Sequence, residues 1–225
     1  MAELSAKPAA AKQASDPYDA WSKTYDATFG RLVHKRQTRA IAELGCEPGM
    51  RVLDLGVGTG LSMSKYPNSC RVVGVDLSGG MLRQAKSNLE QAGHDARGLI
   101  QGDALRTPFA DGAFDRVMVS HVISVVSDPA ALLRECRRVV KPDGRIVVLN
   151  HFQSPSRVVG FCEKVLNPVF VRLGWRSDLT LHECLAGQGL QVLYHFKLSA
   201  VDFWQVLVLS PTPVGLIPAS DRPEN

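Results

Sequence analysis

Residues 51–60 read R-V-L-D-L-G-V-G-T-G. Arg51 to Leu55 is a short apolar run of the kind that forms a parallel strand buried on both faces. Gly56, Gly58 and Gly60 then remove side chains where the backbone must turn sharply and let a ligand approach. A second apolar run, R-V-V-G-V-D at Arg71 to Asp76, follows and ends in a carboxylate. A glycine loop after one strand and an acid closing the next is how a doubly wound sheet holds an adenosine, the acid accepting hydrogen bonds from the ribose hydroxyls.

The glycine spacing separates two kinds of nucleotide site. Dinucleotide-binding sheets use G-x-G-x-x-G, in which the last glycine lets a helix N-terminus meet a pyrophosphate. Here the spacing is G-x-G-x-G, with Leu61 where that pattern requires glycine. Asp54, just before the loop, would repel a diphosphate but suits the ammonium of a methionine moiety. The expected occupant is therefore S-adenosylmethionine, leaving as S-adenosylhomocysteine.

The chain of 225 residues, 45% hydrophobic and 21% charged, is read as a soluble globular protein with one sizeable core. A net charge of +4 is too small to imply nucleic acid, but it suits a protein that visits an anionic surface. Cys46, Cys70, Cys136, Cys162 and Cys184 are scattered without a C-x-x-C pair, which points to a reduced compartment and away from a disulfide frame or metal site. Met1 to Lys12 lacks the apolar segment of a signal peptide, and no run approaches the about 18 apolar residues of a membrane span. A cytoplasmic protein, soluble or peripheral to a membrane, is expected.

Residues 1–16 are biased and polar and read as a disordered tail. In residues 17–45, Tyr18, Trp21, Tyr25 and Phe29 recur at helical spacing, either as a stripe packed on the domain or as a lid over the cofactor. Arg31 to Leu44 reads as a helix closed by Gly45, with Leu32, Val33, Ala40, Ile41 and Leu44 toward the core. Arg31, His34, Lys35, Arg36 and Arg39 make a basic face, which is either a solvated surface or an attraction to an anionic bilayer, at roughly 1 kcal/mol per basic residue. Residues 46–210 form the main domain. Helices are expected at Gly79–Ala92, Pro129–Val140 (stopped by K-P-D-G) and Glu183–Gly187. Further strands are expected at Ala96–Gln101, Phe114–Val119, Gly144–Leu149, Leu190–Leu198 and Val201–Leu209. The fold class is α/β, a doubly wound seven-stranded Rossmann-like sheet closed by an antiparallel hairpin, with an N-terminal helical lid. Residues 152–181 interrupt the alternation with a long apolar and basic insertion, and connections of that length are usually functional. Residues 211–225 are a Pro-rich tail.

With these stretches in place, the chain resembles class I S-adenosylmethionine-dependent methyltransferases, and more narrowly the bacterial phosphatidylethanolamine N-methyltransferases. The carriers are Y-D-A-T-F-G at Tyr25–Gly30, V-L-D-L-G-V-G-T-G-L-S at Val52–Ser62 and V-G-V-D-L-S at Val73–Ser78. S-H-V-I-S-V-V at Ser120–Val126, V-V-L-N-H-F at Val147–Phe152 and L-G-W-R at Leu173–Arg176 complete the set. The glycine and V-D-L-S motifs bear on cofactor and fold, whereas N-H-F and L-G-W-R bear on a lipid acceptor. The resemblance implies that Asp54, Gly56 and Gly58, with Gly60 completing the loop, hold the methionine end and Asp76 the ribose. Leu77 would pack on the adenine, Asp103 and Ala104 would meet its edge, and Tyr25 would help close the site. Gly79-Gly80 departs from relatives that carry a polar residue at this helix start.

Methyl transfer to an amine requires the lone pair to be aligned and unprotonated. His121 and His151 end neighbouring strands at the carboxyl edge, where open α/β sheets bind ligands, so either is a candidate proton acceptor or a structural histidine. Tyr25 joins them as a candidate for the chemistry, and His121 also for cofactor contact. Tyr18, Trp21 and Phe29 would offer aromatic faces to increasingly methylated cations. Arg176 beside Trp175 would meet the headgroup phosphate, or else be a surface arginine over a ring. The expected activity is stepwise methylation of phosphatidylethanolamine or its mono- and dimethyl derivatives by a monomer on the inner face of a membrane. Methylation of a soluble amine or quinone precursor, and a membrane-binding role with little turnover, are the alternatives.

Overall fold

In the computed structural model Arg51–Leu55 (β1) pairs in parallel with both Arg71–Asp76 (β2) and Phe114–Ser120 (β4), so the strand preceding the glycine loop is central to the sheet. The residues described are 31–93, 98–152, 165, 179–199 and 202–212. Gly98–Gln101 (β3) pairs with β2 at one edge, and Val140–His151 (β5) with β4. Gln191–Phe196 (β6) and Trp204–Ser210 (β7) run antiparallel to one another, and β7 lies antiparallel against β5. The seven strands thus stand in the order β3-β2-β1-β4-β5-β7-β6. This is the expected doubly wound sheet with its closing hairpin.

Alternation along the strands divides the core between the two faces. Leu53, Leu55, Val117, Val119, Ile146, Val148, Leu207 and Leu209 meet Leu132, Leu133, Cys136 and Val139 of the helix Pro129–Val139. Val52, Met118, Val147, Leu149, Val206 and Val208 meet Ala40, Ile41 and Leu44, at and just beyond the helix Arg31–Ala42 (α1). Gly79–Gln91 (α2) packs Met81, Ala85 and Leu89 inward; Pro129–Val139 is α3, and Leu181–Leu185 (α4) is a single turn. The α2 start at Gly79-Gly80 is secured by Ser78, whose hydroxyl accepts from the Met81 amide at 3.2 Å. Asp128 caps α3 in the same way at 2.9 Å, with Pro129 in the first turn.

Several boundaries differ from the sequence reading for local reasons. K-P-D-G stops α3 but is itself part of β5, where the register shifts between Phe114 and Arg116 on the partner strand; a bulge absorbs the proline and glycine. α4 begins two residues earlier than the apolar pattern implies, because Thr180 and Glu183 pair in the manner of a capping box: the Glu183 amide donates to Thr180 Oγ1 at 3.2 Å, and Thr180 Oγ1 donates to Glu183 Oε2 at 2.6 Å. Among the described residues no helix is long and apolar enough to cross a membrane.

Candidate active site at the carboxyl edge of the sheet

β1 delivers Asp54 to the carboxyl edge, where it is fully buried. Its Oδ2 accepts from the Ser62 hydroxyl at 2.7 Å and the Tyr66 hydroxyl at 2.9 Å. Oδ1 is buried and has no hydrogen-bond partner among the described residues. Burial raises the carboxyl to about 6, against the lowering effect of the Ser62 and Tyr66 hydroxyls and, at longer range, of Lys65. A buried carboxylate with one oxygen satisfied and one open fits an incoming ammonium group. Ser120, at the end of neighbouring β4, likewise has a buried hydroxyl with no partner among the described residues.

The three loop glycines serve different purposes. A Cβ on Gly56 would lie 2.0 Å from Val122 Cγ2, and one on Gly60 would lie 3.0 Å from the Ala85 Cβ of α2, so these two allow close packing. Gly58 has φ +56 and open space where its Cβ would be, so the loop apex is left bare for a ligand. Its amide donates to Asp76 Oδ2 at 2.8 Å, while the Ser78 amide donates to Oδ1 at 2.9 Å. The end of β2 is therefore tied directly to the glycine loop. Asn88 of α2 braces the same loop from behind, donating to the Thr59 carbonyl at 2.9 Å.

Leu77 is 68% exposed just beyond Asp76, an apolar face open at the end of β2. Asp103 follows β3 and accepts from the Leu105 amide at 2.8 Å, holding the turn that carries half-buried Ala104. The expected methionine, ribose and adenine contacts thus run along the carboxyl ends of β1, β2 and β3. Fold, buried acid and bare loop together fit S-adenosylmethionine.

Across the switch between β1 and β4 lie the two histidines. His121 follows β4 with φ 60, its amide donating to the Leu149 carbonyl at 2.8 Å. Its Nε2 is buried although the residue keeps some surface. Burial, then the charge of Arg36, lowers His121 to about 4, so its ring is neutral at physiological pH and a weak base. Its ring stands edge-on to Trp204, with centroids 5.9 Å apart at 90°. His151 ends β5, and its Nδ1 lies 2.8 Å from the Phe203 carbonyl. A carbonyl only accepts, so Nδ1 carries a proton, and in the neutral ring the lone pair is on Nε2. The geometry thereby distinguishes two histidines that the sequence treats alike.

Residues that the sequence reading did not single out complete this side. Arg36 of α1 reaches Asp202, its Nε 2.9 Å from both carboxylate oxygens. Its guanidinium lies over the Trp204 ring at 4.5 Å. Arg36 is thus part of the packed carboxyl edge, while His34, Lys35 and Arg39 remain exposed on the helix. Ser62 was visible only as the last letter of the glycine motif, and Tyr66 lies beyond it. Trp204 and Asp202 read as strand and strand-edge residues, and nothing in their spacing links them to Arg36. Tyr18, Trp21, Tyr25, Phe29, Trp175 and Arg176 lie outside the described residues.

The stretch 53–148 matches the family described as Methyltransferase domain. The phosphatidylethanolamine N-methyltransferase of Cereibacter sphaeroides is 34% identical over 82% of this chain and 91% of its own length. The demethylmenaquinone methyltransferase of Clavibacter sepedonicus is 32% identical over 88% of this chain and 89% of its own. The fold is shared with geranyl diphosphate C-methyltransferase from Streptomyces coelicolor, solved with S-adenosyl-L-homocysteine, at a TM-score of 0.65 and 19% identity over 90% of this chain and 86% of that one. The glycine loop, the strand order and these likenesses agree: the chain belongs to the class I S-adenosylmethionine-dependent methyltransferases.

Proposed function

We propose that the protein transfers methyl groups from S-adenosylmethionine to the amine of phosphatidylethanolamine, or of its mono- and dimethyl derivatives, toward phosphatidylcholine. The observation that carries this reading is His151, which is anchored at Nδ1 so that Nε2 accepts. A protonated ethanolamine must lose a proton before its nitrogen can attack, and an oriented imidazole supplies the acceptor. The bound cofactor supplies an electrophilic methyl group on a sulfonium. Asp54 binds its ammonium, Asp76 its ribose hydroxyls and Leu77 its adenine face, while Asp103 and Ala104 border the adenine edge. Tyr25 closes the site, Tyr18, Trp21 and Phe29 face the methylated cation, and Arg176 with Trp175 meets the phosphate.

The lipid assignment draws on the likeness to the Cereibacter sphaeroides enzyme over most of both chains. His34, Lys35 and Arg39, exposed along α1, suit a monomer held peripherally on the anionic inner face of a membrane. The likeness to the Clavibacter sepedonicus enzyme favours a second reading, methylation of a demethylated quinone at carbon. In that reading the histidine would take a proton from a phenol or carbon acid instead.

The test is transfer of labelled methyl from S-adenosylmethionine to vesicles containing phosphatidylethanolamine, its monomethyl form or its dimethyl form, beside vesicles containing a demethylmenaquinone. Labelled phospholipid is the expected product. Label only in the quinone would replace the amine reading with the second one.

A further inference from the structure

Three consecutive residues, Asp202 and Phe203 leading into β7 and Trp204 opening it, touch α1, β5 and the residue that follows β4. Asp202 holds Arg36 of α1 through its carboxylate, which is 3% exposed. The Phe203 carbonyl holds His151 of β5. The Trp204 ring meets both the Arg36 guanidinium and the His121 imidazole after β4. Asp202 also fixes the conformation of the tripeptide itself, because its Oδ1 accepts from the Trp204 amide at 3.1 Å and its own amide donates to the Ser199 carbonyl at 3.1 Å. That local bond between a carboxylate and the amide two residues on sets where the intervening Phe203 carbonyl points.

We propose that Asp202 is a positioning residue for His151: its carboxylate, clamped between the Arg36 guanidinium and the Trp204 amide, aims the Phe203 carbonyl that selects the His151 tautomer. The proposal rests on the reading of His151 as the proton acceptor. Asp202 touches no reacting atom. It acts by keeping Nδ1 as the donor, so that the neutral ring carries its lone pair on Nε2. Arg36 serves as the counter-charge, and its stacking on Trp204 keeps α1, the helix that directly follows residues 17–30, locked to the same edge.

The obvious competing account is a purely structural ion pair between a helix and a hairpin. It predicts a loss of thermal stability with His151 unaltered in the protein that remains folded. The two accounts separate on the imidazole itself. Long-range proton–nitrogen spectra of the ¹⁵N-histidine-labelled full chain report which ring nitrogen carries the proton, and they need no acceptor substrate. In the parent protein His151 is expected as the Nδ1–H form. Asp202→Ala, which removes both bonds, is expected to give a mixture containing the Nε2–H form. Asp202→Asn retains an acceptor for the Trp204 amide but loses the charge that holds Arg36, and is expected to show a smaller fraction of it. Should Asp202→Ala not fold, Asp202→Asn decides.

With an acceptor in hand, kcat for Asp202→Ala, or for Asp202→Asn if it decides, is expected to fall about tenfold or more, the order of a modest misalignment at a reacting centre. The KM for S-adenosylmethionine is expected to stay within about twofold, because Asp54, Gly58 and Asp76 lie on other strands. A parent-like His151 spectrum in the folded variant overturns the proposal, and so does an altered spectrum with unchanged kcat. Failure of the lipid reading would appear separately, as no labelled phospholipid from the parent protein, with the spectroscopic comparison still deciding the role of Asp202.

Discussion

The Tyr66 hydroxyl donates to Asp54 Oδ2 from 2.9 Å, beside the Ser62 hydroxyl at 2.7 Å, so the fold dedicates two donors to one oxygen of a buried acid. The other oxygen is buried with no hydrogen-bond partner among the described residues, and in the proposed site it takes the cofactor ammonium. Asp54→Asn is expected to weaken S-adenosylmethionine and S-adenosylhomocysteine alike, by roughly 10- to 100-fold, the range of a lost hydrogen bond to a charged group. Tyr66→Phe is expected to weaken both by a few-fold, by pushing the carboxyl further toward its neutral form. Titration calorimetry measures each, and equal affinity in Asp54→Asn would remove the acid from the site.

Burial acts on the stability of the cofactor-free protein in opposite directions at Asp54 and His121. Asp54 is raised from 3.8 to about 6, so the folded state holds more protons than the unfolded one and stability falls as pH rises through that window. His121 is lowered from 6.5 to about 4, so the unfolded state holds more protons and stability rises with pH over nearly the same range. Each shift corresponds to about 3 kcal/mol, and the two largely cancel. In Asp54→Asn the His121 slope is expected to emerge, with stability rising from pH 4 to 6.5. In His121→Gln the slope is expected to reverse. Urea titrations at a series of pH values read both, and parallel profiles in the two variants would contradict the assignment.

For catalysis the two histidines are expected to differ. His151→Gln removes the proposed proton acceptor and is expected to lower kcat by roughly 100-fold or more while sparing cofactor affinity. His121→Gln is expected to cost far less, because a ring held neutral down to about 4 is a poor base. Steady-state kinetics on both variants across pH would show a reversed ranking if His121 were the acceptor.

The glycine loop offers a comparison between packing and ligand access. Gly56→Ala sets a methyl against Val122, 2.0 Å away in the unrelaxed fold, and is expected to cost about 1–3 kcal/mol of stability. Gly58→Ala has room for its methyl, and the strain of its positive φ costs about 1 kcal/mol, but the new side chain occupies the bare loop apex. It is expected to fold and to bind S-adenosylmethionine weakly. Thermal melts with and without cofactor distinguish the two.

Much of the cofactor half was legible because its determinants are local. Strand, glycine loop and the acid closing the next strand all fall between Arg51 and Asp76, and the hydrophobic runs alone imply the parallel sheet. On the acceptor side the determinants are remote. Arg36 and Asp202 are 166 residues apart, and an arginine on a basic helix face looks like any solvated charge. His151 is oriented by a backbone carbonyl, which leaves no residue type to recognise. Tyr66 and Ser62 follow the glycine motif closely, but a tyrosine and a serine beside a short 3₁₀ turn carry no signal of the acid they solvate. The ends of β5 and α4 were missed where a bulge and a capping box, both set by pairing geometry, override the apolar pattern.

β7 is last in the chain among the strands, yet it lies between β5 and β6, and its first residue pairs with His151. The half of the molecule that holds the cofactor is built from strands and helices made early and joined by short crossovers. The half that receives the acceptor waits for a segment made late, which must enter antiparallel beside a strand already in place. During synthesis the chain therefore passes through a stage with a nearly complete nucleotide cradle, an uncovered β5 edge and no Phe203 carbonyl beside the His151 ring. On the proposed role of His151, the elements that cradle the methyl donor precede in the chain the strand whose leading carbonyl orients the ring, so donor binding and acceptor chemistry draw on segments made at different times.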